Sequence, residues 1–125
     1  MIGSKIFIDS SVWLSYFFAD SERAKELIES EEILFTSVIS LFEIKRKLLK
    51  SKLDRNKINE LIDYIKQRSV TIGLTLEICE KAAEISLTYK LSAIDSLIYT
   101  SSNINDSTLA TSDYDFKEIR DVVII

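Results

Sequence analysis

The stretch KIFIDSSVW, residues 5–13, decides how the fold is read. Ile6, Phe7 and Ile8 form a short, continuous apolar run, as expected of a strand buried on both faces. Asp9 follows at once, then Ser10 and Ser11, and the chain turns apolar again at Val12 and Trp13. A carboxylate at that junction has two readings. It caps the helix that begins there, or it holds a ligand at the carboxyl end of a strand.

The same alternation continues along the chain. Strands are expected at 5–8, 33–36, 70–72, 108–111 and 122–124. Helices are expected at 10–18, 21–30, 37–50, 54–67, 75–90 and 92–105, with Asp54 capping the fourth and a short helical turn over 114–119. Strands alternating with helices predict an α/β fold: one domain over residues 1–125, with a central, mostly parallel sheet of about five short strands flanked by helices on both faces. There are two glycines and no proline, so the connections must be short polar turns.

With 125 residues, 46% hydrophobic and 29% charged, the chain can bury a core without staples. One cysteine, Cys79, excludes an internal disulfide and a cysteine-rich zinc site. It lies on an apolar helical stretch and reads as a buried thiol. No histidine is present, which removes the commonest general base and zinc ligand. No apolar run approaches the roughly 18 residues that cross a bilayer. Asp9 also interrupts what would be the apolar part of a signal peptide, so the expected location is the cytoplasm, with no membrane partner.

Charge is unevenly distributed. Between Lys45 and Lys57 seven cations face one acid, a local charge of +6, which leaves −10 on the rest of a chain whose net charge is −4. The run reads as a guide for a phosphate backbone, as a solvated helix–turn–helix surface, or as a dock for an acidic partner.

Four acids stand where acids are costly. Asp9 and Asp113 follow the first and fourth strands, and Glu43 and Asp95 interrupt apolar helical segments. Each has a plainer reading. Asp9 caps a helix; Glu43 pairs with Lys47 four residues on; Asp95 completes a capping box with Ser92; Asp113 starts a turn. Asp115 reads as an exposed first-turn acid and is a lesser candidate. The order and setting of the set carry more weight than any member.

FIDSSVWLSYF, TSVISLFEIKRKL, YKLSAIDSLIYTSS and LATSDYDF, followed by a terminal VVII strand, together resemble the PIN-domain nucleases, and the layout is similar to VapC-type toxins of toxin–antitoxin pairs. The resemblance implies Asp9, Glu43, Asp95 and Asp113 as the catalytic, metal-holding acids, with Ser10 and Thr111 as hydroxyls near the site and candidate substrate-binding groups. It also implies an RNA substrate, a homodimer and a cognate antitoxin seated near the aromatic residues Trp13, Tyr16, Phe17 and Phe18. Those aromatics otherwise read as core. Lys45, Arg46 and Lys47 are the candidate substrate-binding cations. Ser96 stands where the family commonly has alanine, and Thr100, Ser101 and Ser102 are more polar than usual, which bears on helix packing and touches no acid.

An all-oxygen ligand set suits Mg²⁺ or Mn²⁺, and such ions activate water and steady a leaving oxygen without a histidine. On this view Asp9, Asp95 and Glu43 hold one ion and Asp113 completes a second position. Haloacid-dehalogenase-like phosphatases need a second aspartate where this chain has Ser11, and a receiver domain needs one after the third strand, where Gly73 stands. A non-toxin RNA-processing nuclease and a catalytically silent binding or assembly module of the same fold remain the alternatives.

Overall fold

The computed structural model describes residues 4–125, so the first three residues of the expected domain lie outside the described residues. The elements run β1 (Lys5–Ile8), α1 (Ser10–Phe17), α2 (Glu22–Ile28), β2 (Ile33–Ser37), α3 (Val38–Lys50), α4 (Arg55–Arg68), β3 (Ser69–Ile72), α5 (Leu76–Tyr89), α6 (Ala93–Ile104), β4 (Thr108–Thr111), a 3₁₀ turn (Tyr114–Phe116) and β5 (Val122–Ile124). The expected α/β class is what forms, and every strand pair is parallel rather than most of them.

The sheet order is β3-β2-β1-β4-β5. From β1 the chain steps outward to β2 and β3, then crosses back over the sheet and continues through β4 and β5. Because crossovers are right-handed, reversing the direction of travel moves the helices to the other face. Alternate residues of each strand show the two faces. Ile8, Leu34 and Ala110 pack with Val12, Trp13, Ala24, Ile44, Leu48, Ile58 and Ile65, beneath α1 to α4. Phe7, Leu109 and Phe35 pack with Ile98, Tyr99 and Ile85, beneath α5 and α6.

Helix starts fall one residue later than the sequence suggests at Ser21, Ser37, Asp54, Thr75 and Ser92. Each of these is an extended N-cap whose side chain accepts from a backbone N–H two or three residues on, respectively that of Ala24, Ile39, Lys57, Ile78 and Asp95. The aromatic cluster resolves into core and rim. Trp13 is fully buried, and its indole N–H donates to Thr36 at 3.1 Å. Its ring stacks on Phe17 at 5.9 Å and meets Tyr64 of α4 edge-on at 6.3 Å, whereas Phe18 is exposed. Tyr64 thus helps cover a helix whose apolar residues run nearly all round.

Cys79 is exposed, not buried as the sequence suggested. The inward face of α5 is set by Ile78 and Ala82, four residues apart, and Cys79 lies one residue and about 100° round from Ile78. The scarcity of glycine also has a structural consequence. Ala19, Lys90, Asp106, Glu118 and Asp121 all adopt positive φ, a conformation that costs a residue with a Cβ about 1–2 kcal/mol. Lys90, at φ 56°, is the left-handed cap of α5. Lys90→Gly is therefore expected to stabilise the protein by about 0.5–1 kcal/mol, since relief of the strain exceeds the added entropy of the unfolded chain. Urea unfolding midpoints at constant slope measure it.

Candidate active site

The point where the chain reverses across the sheet lies between β1 and β4, and open parallel sheets bind ligands at the carboxyl ends of such strands. Asp9 follows β1 directly, and its N–H donates to Ala110 O at 3.0 Å, continuing the ladder with β4. The residue is only 8% exposed. It occupies the N-cap position of α1 but makes no side-chain cap bond. Instead Oδ2 accepts from Ser11 Oγ at 2.9 Å and from Thr111 Oγ1 at 2.8 Å. The capping role is set aside in favour of a link between two strands.

Asp113 lies two residues beyond β4. Its N–H donates to Thr111 Oγ1 at 3.0 Å, and the N–H of Ser112 donates to Ser11 Oγ at 3.1 Å. Asp113 Oδ1 accepts from the N–H of Asp115 at 2.9 Å and caps the 3₁₀ turn, so the turn reading holds for this residue. The turn folds Asp115 back beside Asp113. Asp95 sits in the first turn of α6 with its N–H bonded to Ser92 Oγ at 3.2 Å, half of the expected capping box. Glu43, on α3, accepts from Ser10 Oγ at 3.2 Å.

Carboxylate oxygens of Asp95, Asp113 and Asp115 lie within 4.8 Å of one another. This trio differs from the expected division, in which Asp9, Asp95 and Glu43 formed the first group. Asp9 and Glu43 stand outside the trio but within its field. Burial, then Asp113 and Asp9, push the Asp95 carboxyl up to about 6, against a smaller opposing effect of Ser92. Burial and then Asp9 raise that of Glu43, while Ser10 and Lys47 oppose the rise. All five acids are thus electrostatically linked at one end of the sheet. The donor set is hard oxygen throughout and fits a divalent cation of the Mg²⁺ or Mn²⁺ type.

Thr111 is fully buried and its hydroxyl is committed to Asp9, so it presents nothing to a substrate. Ser11, which sequence reasoning passed over, is an equal partner of Asp9. The only hint of it was a second hydroxyl two residues after the strand-terminal acid. Lys45, Arg46 and Lys47 are exposed but do not share a face. Lys45 and Arg46 line a groove between α3 and α4, whereas Lys47 acts on Glu43.

The frame is a five-stranded parallel sheet whose reversal point gathers acids from the β1, α3, α6 and β4 segments. The PIN domain family matches residues 6–122, and the chain belongs to that family. No protein of curated function matches it in sequence. Among solved structures, a toxin–antitoxin complex from Klebsiella pneumoniae superposes with a TM-score of 0.76 at 20% identity, covering 94% of this chain and 95% of the other. VapBC2 from Rickettsia felis, bound to a promoter DNA fragment, gives 0.77 at 17% identity with 97% of each chain covered. VapC20 from Mycobacterium tuberculosis, a sarcin–ricin loop cleaving toxin, gives 0.66 at 19% identity, covering 90% of this chain and 91% of the other. At these identities the likeness is one of fold. No helix among the described residues is long and apolar enough to cross a membrane.

The raised Asp95 carboxyl has a signed consequence. Its folded value, about 6, exceeds the ordinary 3.8, so the folded state binds the extra proton between those values. Through this group the metal-free protein is most stable below about pH 4 and loses that contribution as pH rises through 6. Asp95→Asn is expected to narrow the difference in thermal midpoint between pH 5 and pH 8 in EDTA. An unchanged difference would remove Asp95 from the repulsive cluster.

Proposed function

We propose that this chain is an endoribonuclease dependent on Mg²⁺ or Mn²⁺ and the toxin of a VapBC-type pair, with Asp9, Glu43, Asp95 and Asp113 as its metal-holding acids and Asp115 beside them. The observation that carries the reading is the convergence of these acids at the sheet's reversal point in a PIN domain. A divalent cation bound there supplies the activated water and the charge neutralisation that a histidine-free site otherwise lacks.

The chain's own residues supply position and field. Ser10 holds Glu43 toward Asp9, and Ser92 holds the first turn of α6 so that Asp95 faces Asp113. Lys47, near Glu43, draws a phosphate toward the acids without occupying the site. Asp9→Asn is expected to abolish Mg²⁺-dependent cleavage of a long single-stranded RNA while leaving the circular dichroism spectrum native. Retained cleavage would exclude Asp9 from the machinery.

The antitoxin reading has a separate support, on α3 rather than beside Trp13, Tyr16, Phe17 and Phe18 where the resemblance put it. Val38, Phe42 and Leu49 are exposed along α3, Phe42 by 67%. With Leu41 and Ile62 they line a groove of about 770 Å³ rimmed by Lys45, Arg46, Lys50 and Lys66. An apolar floor with a basic rim fits an acidic amphipathic helix, read through anchors on one face. Such a partner complements the basic run and leaves Lys47 to the substrate. Phe42→Glu is expected to weaken binding of the co-expressed antitoxin by at least about tenfold, an apolar anchor being replaced by a like charge, while RNA cleavage by the free chain persists. Growth arrest on induction, relieved by the co-expressed partner, separates a toxin from an RNA-processing nuclease of the same fold. A silent binding module would show neither arrest nor cleavage.

A further inference from the structure

The hydroxyls around Asp9 form a closed pattern. Ser11 Oγ and Thr111 Oγ1 each have one proton, and both donate it to the same carboxylate oxygen, Oδ2. Each hydroxyl then accepts one backbone N–H, from Ser112 and from Asp113 respectively. The two oxygens lie 3.4 Å apart although their residues are 100 positions apart in the chain, one on α1 and one on β4. With both protons on Oδ2, that contact is a proximity imposed by the shared acceptor. The arrangement ties three things together: the torsion of the Asp9 carboxylate, the start of α1, and the segment that carries Asp113 and Asp115.

We propose that Ser11 and Thr111 are positioning residues that saturate Asp9 Oδ2 and register it against the Asp113 arm, leaving Oδ1 as the one atom Asp9 presents to a divalent cation. The inference rests on the metal-dependent reading above and assigns a residue, Ser11, that the sequence did not single out. A carboxylate with one oxygen fixed by two hydroxyls cannot swing to grip an ion with both oxygens. It also cannot drift from Asp113, because Thr111 Oγ1 holds that residue's N–H and Ser11 Oγ holds the N–H of Ser112 just before it. Partners of this kind orient the groups that touch the metal, and their loss typically weakens metal affinity 10- to 100-fold.

Ser10 is a useful contrast. It makes one 3.2 Å bond to Glu43 and no bridge to β4, so its removal disturbs one acid and leaves the Asp9–Asp113 register in place.

Mn²⁺ titration by calorimetry in the absence of RNA tests the assignment on wild type, Ser11→Ala, Thr111→Val, Thr111→Ser and Thr100→Val. Thr100 is a fully buried threonine on α6 whose hydroxyl has no hydrogen-bond partner, more than a turn beyond Asp95, and it serves as the control for losing a buried hydroxyl. Ser11→Ala and Thr111→Val are expected to weaken Mn²⁺ binding by roughly 10- to 100-fold, Thr111→Ser to recover most of it, and Thr100→Val to leave it unchanged. Urea midpoints measured without metal run alongside. Lower stability in the Ser11 and Thr111 variants with unaltered Mn²⁺ affinity would reduce both residues to structural hydroxyls and overturn the proposal, leaving the metal site intact. If wild type itself fails to bind Mn²⁺ at millimolar concentration, the metal-dependent reading falls and takes this one with it. Should Thr111→Val fail to fold, Ser11→Ala, at a half-buried position, decides the question.

Discussion

Mutual repulsion among carboxylates is the interaction this structure is organised around. Asp9, Glu43, Asp95, Asp113 and Asp115 come from the β1, α3, α6 and β4 segments, and nothing local in the chain requires them to meet. The sheet order makes them meet. Once β1 lies between β2 and β4, the residue after β1 and the residues after β4 share one edge of the sheet. The remainder of the molecule resists the resulting repulsion. Two apolar layers are sealed by side chains such as Trp13, Phe7, Ile44, Leu48 and Ile65, and five helices have N-caps with bonded side chains, each contributing about 1 kcal/mol.

Much of this was legible from residues in order, and the failures share a cause. Continuous apolar runs flanked by polar turns gave the strands, because a strand buried on both faces has few other sequences open to it. The acids at strand ends were legible for the same reason: there a charge interrupts an apolar pattern. What sequence could not supply was rotation about a helix axis and the fold-back of a turn. Cys79 sits one residue from Ile78 and faces the other way. The basic run looks like one surface in a line of text, yet helical periodicity puts Lys45 and Arg46 over the α3–α4 groove and Lys47 beside Glu43. Asp115 joins the acids because the 3₁₀ turn at Tyr114–Phe116 reverses within three residues.

A local capping role and membership of the acidic cluster are not exclusive. Asp95 receives the Ser92 cap and stands in the acidic trio; Asp113 caps the 3₁₀ turn and stands there too. Both facts follow from one economy of placement, since the first turn of a helix or 3₁₀ segment is where a short acidic side chain is both locally tolerated and aimed at a neighbouring strand end. Asp9 is the exception. It holds the N-cap position without making the cap bond, and its Oδ2 accepts from Ser11 and Thr111 instead.

The sign of the field at the site can be decided by weighing opposed effects on one group. Asp95 lies at the positive end of α6, where the helix dipole favours an ionised acid by about 0.3–1 kcal/mol, and Ser92 also favours the charge. Burial and three neighbouring acids act the other way, and they win, since the carboxyl moves up to about 6 rather than down. A positive helix end and a hydroxyl donor are therefore too weak to neutralise the cluster from within. Lys47, a cation that acts on Glu43, also fails to bring that acid back to its ordinary value. At these two acids the neighbouring donors and cations do not offset burial and repulsion. Carboxylate oxygens less than 5 Å apart in such a field form a set that a hard divalent cation would fit.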